Sequence, residues 1–317
     1  MAQGVLGQST LRCACTPPMP LRFDGKVAVV TGAGGGLGKA YAIALAQRGA
    51  KVVVNDLGGS HSGSGASTRA ADVVVEELRA MGASAEANYN SVEDGDKIIE
   101  TAIQAFGRVD ILINNAGILR DVSFAKMTEN DWDLINTVHL KGVYKCTKAA
   151  WPHMIQHGFG RIVNVTSAAG VYGNFGQVNY STAKSGIMGF TKSCALEGAR
   201  KNVLSNCICP LAQSRMTETV LPKDMLDFLK PGAIVPVVLF MCHESSGANG
   251  EIIEAGGGWH AKIRVERAKG TYIPGEFSVE DVQQHWERIG DFTETQHPTL
   301  IAQSLIAALD AAKASKL

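Results

Sequence analysis

VVTGAGGGLGKAYAIALAQRGAKVVVNDLGG, from Val29 to Gly59, joins an apolar run to a cluster of glycines, a helical pattern and a second apolar run that ends at an acidic residue. Such a cluster fits either a flexible linker or a loop that cradles a phosphate. A linker is rich in Gly and Ser and lacks flanking apolar periodicity. Because apolar periodicity flanks these glycines on both sides, the segment predicts a strand, a phosphate-binding turn and a helix.

Glycines of this turn have separate roles in a dinucleotide-binding loop. Gly32 permits the tight turn, Gly36 lets the backbone approach a pyrophosphate, and Gly38 allows close packing of the helix. The helix that begins near Leu37 presents unpaired backbone N–H groups to that pyrophosphate. We therefore interpret Gly32, Gly36, Leu37 and Gly38 as cofactor-binding residues.

Asp56 ends the apolar run that follows this helix. A carboxylate at this place accepts hydrogen bonds from the ribose 2′- and 3′-hydroxyls of adenosine and repels a 2′-phosphate. The sequence thus favours NAD over NADP as the cofactor. The alternative for Asp56 is a solvated residue at a strand end.

Short apolar runs alternate with longer helical patterns from Lys26 to Trp259. Most runs are apolar over their full length, as expected for strands buried on both faces of a parallel sheet. This alternation predicts an α/β fold with a doubly wound parallel sheet of the Rossmann type. The predicted strands are KVAVVT, KVVVND, ASAEANY, VDILIN, RIVNVT, VLSNCIC and GEIIEA. The predicted helices cover residues 37–48, 68–81, 93–106, 131–156 and 179–200.

The chain divides into three predicted parts. Residues 1–20 contain consecutive prolines and no periodicity, so we expect a disordered leader. Residues 21–258 form the predicted dinucleotide-binding catalytic domain, and residues 259–317 form a helical extension packed on it. In the extension, Ser278 is the predicted N-cap of an amphipathic helix. The apolar face of that helix consists of Val279, Val282, Trp286 and Ile289.

The last residues of the sequence are Ser315, Lys316 and Leu317. Ser-Lys-Leu at a free C-terminus is an address that the peroxisomal import receptor reads. The sequence therefore predicts a peroxisomal protein. The alternative is the ordinary end of an amphipathic helix.

Charge and composition argue against several classes of protein. Lys and Arg together number 30, as do Asp and Glu, so the formal net charge is zero and favours neither nucleic acid nor an anionic membrane as a partner. No apolar stretch is long enough to cross a membrane. The 7 cysteines, an odd number without zinc-type spacing, indicate reduced thiols and no metal site.

TSAAGVYGNFGQVNYSTAK contains the residues that would carry the chemistry. Tyr180 and Lys184 lie one helical turn apart and share one face, and Ser167 follows the strand RIVNVT. A tyrosine hydroxyl has an ordinary pKa of about 10, which a nearby ammonium and a positive nicotinamide ring would lower. Ser167 would hold the substrate oxygen while Tyr180 takes its proton. The alternative for Tyr180 and Lys184 is a solvated helix face.

TGAGGGLG, the NNAG sequence at residues 114–117, Ser167 and YSTAK together resemble the short-chain dehydrogenase/reductase superfamily. The resemblance implies that the NNAG turn, with Asn115 and Gly117, lies beside the cofactor. It also implies that Lys184 holds the nicotinamide ribose and that Ser167 and Tyr180 are catalytic, with Tyr180 next to the cofactor.

The sequence departs from that superfamily at three places. His139 stands where an asparagine usually binds a water of the proton relay, so it is either a replacement water ligand or a histidine without a role. Where an aspartate often holds the adenine, Asn90 and the Val92 amide are the candidates. Pro-Leu replaces the usual Pro-Gly after the sixth strand, and Thr217 is expected to reach the nicotinamide carboxamide.

HLKGVYKCTKAAWPHM, YGNFGQVNYS and GGGWHAKIRVERAKG are similar to the (3R)-hydroxyacyl-CoA dehydrogenase module of peroxisomal β-oxidation enzymes. This resemblance implies a homodimer that oxidises (3R)-3-hydroxyacyl-CoA to 3-ketoacyl-CoA with NAD. Members usually carry a hydratase on the same chain, and here we expect it on a separate protein. The alternatives are an NAD-dependent hydroxysteroid dehydrogenase and a non-catalytic dinucleotide-binding subunit, which only His139 favours.

Overall fold

The computed structural model describes residues 19–59, 62, 65, 67–211 and 229–314. The main sheet within these ranges has 8 strands and confirms the predicted α/β fold. Its strands are β1 Val27–Thr31, β2 Lys51–Asn55, β3 Ala85–Asn88, β4 Ile111–Asn114, β5 Gly160–Val165, β6 Val203–Pro210, β7 Ile252–Gly256 and β8 Trp259–Ile263.

Helices cover both faces of this sheet. They are α1 Gly36–Gln47, α2 Arg69–Ala80, α3 Gly95–Phe106, α4 Glu129–Asn136, α5 Gly142–His157, α6 Ala168–Tyr172, α7 Val178–Gly198 and α8 Val235–Cys242. The extension adds α9 Val279–Ile289 and α10 Ala302–Ala314, together with a small antiparallel pair, β9 Arg267–Ala268 and β10 Thr295–Gln296.

The strand order β3-β2-β1-β4-β5-β6-β7-β8 places β1 between β2 and β4, and both pairings are parallel. The chain therefore crosses to opposite sides of β1, and the connections on either side diverge beyond its carboxyl end. In open α/β sheets this divergence creates the crevice in which ligands bind.

Alternate side chains of the strands build two cores. In β1, Ala28 and Val30 belong to the cluster beneath α1, α2 and α8, whereas Val27 and Val29 belong to the cluster beneath α3 and α5. Such two-sided burial explains why the strands read as continuous apolar runs. The sheet is thus held rigidly from both sides.

β8 is the strand of the main sheet that was not predicted from the sequence. It runs antiparallel to β7 after a two-residue turn at Gly257 and Gly258, whose φ angles of 57° and 86° fit a tight hairpin. Its side chains are mostly exposed or half-buried, so it lacks the apolar run that marks the other strands. The first residues of the predicted extension therefore complete the sheet, while the division into domains stays a prediction.

The predicted helix in the extension forms with the expected N-cap. The Ser278 hydroxyl accepts a hydrogen bond from the Asp281 N–H, and the Asp281 carboxylate accepts one from the Ser278 N–H. The expectation that this helix packs on the main domain is wrong, because Val279 and Trp286 are 80% and 65% exposed. An amphipathic pattern shows that a helix has an apolar face, but it does not identify the surface that covers it.

No helix within the described ranges combines the length and the apolar character needed to cross a membrane.

A buried carboxylate joins the beginnings of the two central strands. Asp110, immediately before β4, accepts hydrogen bonds from the Val27 N–H at 2.8 Å and from the Arg108 guanidinium at 2.8 and 2.6 Å. Its side chain is completely buried, so it links β1 to β4 where no water competes.

We expect Asp110→Ala to lower the free energy of unfolding by about 3 kcal/mol, because a buried N–H and a guanidinium lose their acceptor. Urea unfolding followed by circular dichroism measures this loss. Asp24→Ala is the matched control, since Asp24 pairs with Arg22 at the same sequence spacing on the exposed surface and should change little. Equal losses in the two variants would contradict the assignment.

Candidate active site

The glycine turn lies at the carboxyl end of β1 and is packed too tightly for other residues. Gly32 has a φ of 62°, and a Cβ there would lie 2.7 Å from the Ala116 Cα. A Cβ on Gly38 would collide with the carbonyl oxygen of Gly32. These contacts agree with the tight turn expected at Gly32 and the close helix packing expected at Gly38.

Gly36 differs from Gly32 and Gly38 in the space around it. Its φ of 53° favours glycine, yet a Cβ there would meet no atom within 4 Å. The N-cap of α1 is Gly35, which has no side chain to bond the first N–H groups of the helix. Gly36 thus borders open space at a positive helix end, followed by the half-buried Leu37 and the buried Gly38, which fits a pyrophosphate bound at the first amides of the helix.

Asp56 lies directly after β2 and is tied to the glycine turn. Its carboxylate accepts hydrogen bonds from the Gly34 N–H at 2.8 Å and the Gly58 N–H at 2.7 Å. A carboxylate has about four lone-pair positions, so acceptors remain for ribose hydroxyls. The turn, the helix end and Asp56 together fit a dinucleotide.

The two residues expected to bind the adenine differ in which of their atoms are free to contact a ligand. Asn90 is engaged by protein, because its side-chain oxygen accepts from Asn88 at 3.0 Å and its carbonyl accepts from Asn55 at 2.8 Å. The Val92 side chain is buried in the core cluster beneath α3 and α5. Val92 could therefore meet a ligand only through its backbone, whereas Asn90 holds the ends of β2 and β3 together.

The NNAG turn after β4 clamps the glycine turn to the sheet. The Asn115 carboxamide donates to the carbonyl oxygens of Thr31 and Gly32, both at 3.0 Å. In return the Thr31 hydroxyl accepts from the N–H groups of Asn115 and Ala116 at 3.0 and 3.1 Å. Asn115 therefore positions the cofactor loop. The sequence analysis missed Thr31, although a polar residue at the end of an apolar strand signals such a role.

His139 lies behind Gly117, where a Cβ on the glycine would collide with the imidazole. Its Nε2 is 2.8 Å from the Ile118 carbonyl oxygen and 3.1 Å from the Ile118 nitrogen. Its Nδ1 is buried and has no hydrogen-bond partner among the described residues. Burial lowers the pKa of His139 to about 3, so the ring is neutral at physiological pH.

A π-helical turn sets the position of His139. The sequence predicts one helix over residues 131–156, but Thr137–Lys141 forms a π turn between α4 and α5. The Gly142 N–H donates to the carbonyl oxygens of both Thr137 and His139. Such turns are rare and occur frequently at functional sites.

The predicted catalytic side chains meet at the carboxyl end of β5. Ser167 lies near enough to the Tyr180 hydroxyl to lower its pKa, and the His139 ring contacts the Tyr180 ring edge to face at 5.2 Å. Lys184 Nζ lies 5.5 Å from the centre of the Tyr180 ring and donates to the Val165 carbonyl oxygen at 2.6 Å. The structure thus brings Ser167, Tyr180, Lys184 and His139 together.

The electrostatics of Tyr180 differ from the sequence-based expectation. Burial raises the pKa of Tyr180, the hydrogen bond from Ser167 lowers it, and the charges of Asp121 and Cys209 raise it further. Burial also lowers the pKa of Lys184 to about 8. In the protein alone, desolvation therefore outweighs the lowering that Lys184 was expected to provide.

Two further residues line this site and were missed. Gln177 Nε2 donates to the Asp121 carboxylate at 2.8 Å, which joins the loop after β4 to the segment before Tyr180. Asp121 follows NNAGILR directly, so its place beside the NNAG turn was the available signal. Thr217, the import tripeptide at residues 315–317 and residues 1–18 of the predicted leader lie outside the described residues.

Comparison with known proteins agrees with this geometry. The chain is 53% identical to the peroxisomal multifunctional enzyme A of Dictyostelium discoideum, over 92% of this chain and 66% of that protein. It is 56% identical to the peroxisomal hydratase-dehydrogenase-epimerase of Neurospora crassa, over 88% of this chain and 32% of that protein. The chain therefore spans between a third and two thirds of the length of these relatives.

A solved structure shares the fold. The full-length peroxisomal multifunctional enzyme type 2 of Drosophila melanogaster superposes with a TM-score of 0.80 and 46% identity, over 92% of this chain and 50% of that chain. The model of the short chain dehydrogenase family matches residues 26–224, which include the glycine turn and the predicted catalytic side chains. The chain therefore belongs to the short-chain dehydrogenase family.

Proposed function

We propose that the protein oxidises (3R)-3-hydroxyacyl-CoA to 3-ketoacyl-CoA with NAD. The observation that carries this proposal is the meeting of Ser167, Tyr180 and Lys184 at the edge of the sheet where the glycine turn opens. The names of the multifunctional relatives support the substrate class, since the product of a hydratase that acts on an enoyl thioester is a 3-hydroxyacyl thioester.

Proton transfer in this reaction falls to Tyr180. Ser167 donates a hydrogen bond to the substrate oxygen, and the Tyr180 phenolate takes the proton of the 3-hydroxyl group. NAD, when bound, would supply the acceptor for the hydride that leaves the carbon bearing this hydroxyl group. Lys184 would hold the nicotinamide ribose hydroxyls, and its positive charge close to Tyr180 would favour the phenolate.

His139 has a supporting role in the proposed proton path. Its neutral ring contacts Tyr180, and its buried Nδ1 is unpaired within the described residues. Unpaired buried nitrogens are costly, and a water molecule is the usual partner where space allows. We assign His139 as a ligand of a relay water in place of the asparagine of other family members.

Asp56 supports NAD over NADP in this proposal. Its carboxylate is held in place by two backbone N–H groups, so it cannot swing away from a 2′-phosphate without breaking the turn. The repulsion between the two anions would then be retained in the complex.

The extension supports the proposal of a homodimer. Its two helices bury no residue in the single chain, and their apolar side chains are exposed. A patch of this kind on a soluble domain marks a protein interface, and a second copy is the proposed partner. The exposed apolar residues of the extension include Phe277, Val279, Trp286, Phe292, Ile301, Leu305 and Leu309.

We also propose a peroxisomal location. The relatives reported above are named peroxisomal enzymes. The import receptor would read the tripeptide Ser315, Lys316 and Leu317.

The purified protein should reduce NAD in the presence of a medium-chain (3R)-3-hydroxyacyl-CoA. The (3S) form should give no NADH above background, and NADP should replace NAD poorly because of Asp56. The absorbance of the reduced cofactor measures the rates of all three reactions. Turnover of a hydroxysteroid alone would support the alternative enzyme, and NAD binding without turnover of any alcohol would support a non-catalytic subunit.

Tyr180→Phe should reduce turnover by roughly a thousandfold, because the proton acceptor is lost, while the affinity for NAD changes little. Initial rates and a fluorescence titration with NAD separate the two effects. Tyr144→Phe is the matched control, since Tyr144 lies on the exposed surface of α5. Unchanged turnover in Tyr180→Phe would disprove the mechanism.

Trp286→Asp should convert the dimer to a monomer, because a charge at the apolar face of α9 must lose its water on association. Sedimentation velocity gives the mass. Glu287→Gln, on the exposed polar side of the same helix, should remain dimeric. A monomeric wild-type protein would contradict the proposed assembly.

A further inference from the structure

A buried asparagine stands immediately before Tyr180, near the beginning of α7. Asn179 is completely buried, although its side chain is polar. A carboxamide is costly to bury unless its donors and acceptor find hydrogen-bond partners. The partners of Asn179 therefore determine what this side chain does next to the proposed proton acceptor.

The amide nitrogen of Asn179 joins α7 to two other segments of the backbone. Nδ2 donates to the Arg120 carbonyl oxygen at 3.2 Å, in the loop after β4. It also donates to the Asp131 carbonyl oxygen at 2.9 Å, in the first turn of α4. Both protons of the amide group are thereby used. The beginning of α7 is thus bonded to the chain on two sides.

The amide oxygen of Asn179 bonds the backbone of Tyr180 itself. The first N–H groups of a helix have no partner within the helix, and a side chain at the N-cap often accepts one of them. The N-cap of α7 is Gln177, whose side chain makes no such bond. Asn179 Oδ1 instead accepts from the Tyr180 N–H at 2.8 Å. One carboxamide therefore ties the Tyr180 backbone to the loop after β4 and to α4.

The two segments that Asn179 bonds are also bonded to each other. The Arg120 guanidinium donates to the Asp131 carboxylate at 3.1 Å. The same carboxylate completes a capping box with Thr128, the N-cap of α4. Asn179, Arg120 and Asp131 thus form a closed ring of interactions that joins α7, the loop after β4 and α4. Such a ring restricts the movement of each of the three segments relative to the others.

This ring also connects Tyr180 with the elements that place His139. α4 leads through the π turn Thr137–Lys141 to His139, whose ring contacts the Tyr180 ring at 5.2 Å. The loop after β4 carries Ile118, whose carbonyl oxygen lies 2.8 Å from His139 Nε2. Asn179 therefore bonds both segments that hold His139 to the helix that carries Tyr180.

We propose that Asn179 is a positioning residue that holds the Tyr180 hydroxyl in place for proton transfer. This inference rests on the proposed function, in which Tyr180 accepts the proton of the 3-hydroxyl group. Asn179 acts through the backbone of Tyr180 and through the two segments packed beside it. A displacement of about 1 Å at a reacting group can cost roughly a hundredfold in rate. Removal of the Asn179 carboxamide should therefore slow the chemical step more than it weakens binding.

Asn179→Ala removes all three hydrogen bonds and is the decisive variant. The rate constant for NADH formation in a single turnover, with enzyme in excess and NAD saturating, should fall roughly tenfold to a hundredfold. KM for (3R)-3-hydroxyacyl-CoA and the affinity for NAD should change by less than about twofold, because the lost bonds touch neither ligand. Partial unfolding would not imitate this result, since the single-turnover rate constant is that of the folded molecules alone.

Asn206→Ala is the matched control, because Asn206 is also a completely buried carboxamide that bonds two backbone groups. Its Nδ2 donates to the Ala248 carbonyl oxygen at 2.8 Å, and its Oδ1 accepts from the Glu251 N–H at 3.0 Å. Glu251 lies at the amino end of β7, away from the edge of the sheet that carries Tyr180. This variant should be destabilised but keep its rate constant. Equal losses of rate in both variants would overturn the inference and leave Asn179 a structural residue.

A second readout needs no substrate. Protein labelled with fluorotyrosine gives one fluorine NMR signal for each tyrosine, and the signal of Tyr180 is the one absent from Tyr180→Phe. Asn179→Ala should shift or broaden that signal, whereas Asn206→Ala should leave it unchanged. If the wild type fails to oxidise (3R)-3-hydroxyacyl-CoA, the proposed function is wrong, yet this spectrum still tests whether Asn179 holds Tyr180. An unchanged Tyr180 signal in Asn179→Ala would contradict the inference.

Asn179→Asp takes the place of Asn179→Ala if the alanine variant does not fold. The acid keeps the oxygen that accepts from the Tyr180 N–H, and its protonated form donates to one of the two carbonyl oxygens. We expect a loss of rate of up to roughly tenfold, with a shifted fluorine signal for Tyr180. A rate constant and a signal equal to those of the wild type would then count against the inference.

Discussion

The close approach of two backbone segments, the turn after β1 and the turn after β4, is the constraint on which the site depends. Gly32 leaves no room for a side chain against Ala116, and Asn115 closes the gap by bonding the carbonyl oxygens of Thr31 and Gly32. These contacts join the turn after β1 to the turn after β4. The glycine turn and the NNAG turn are therefore held rigidly against each other. Any rotation of one strand would displace both.

The sequence analysis was most accurate where burial is two-sided. The seven strands from β1 to β7 and the helices α1 to α5 and α7 were predicted from apolar periodicity, because elements of a doubly wound sheet bury apolar faces, whereas the helices α6 and α8 were not predicted. β8 and the π turn at Thr137–Lys141 could not be predicted in this way. The first has a mostly exposed side-chain pattern, and the second differs from an α-helix only in its hydrogen bonds.

The candidate site also contains features that could be predicted from the sequence and features that could not. Ser167, Tyr180 and Lys184 follow from the spacing of reactive residue types, and the structure places them together. The direction of the pKa shift of Tyr180 does not follow from spacing, since it depends on burial and on charges from distant loops. Asp121 lies far from Tyr180 in the sequence, and only the folded chain shows that it is bonded to Gln177, immediately before the helix that carries Tyr180.

Asp56 connects cofactor choice with the integrity of the loop. Its two oxygens satisfy the N–H groups of Gly34 and Gly58, so the residue that would exclude a 2′-phosphate also organises the turn. A lineage of this chain that changed to the phosphorylated cofactor could not do so by replacing Asp56 alone, because two backbone donors would lose their acceptors. The turn and the following loop would have to change together, which makes cofactor preference a slowly evolving property of this scaffold.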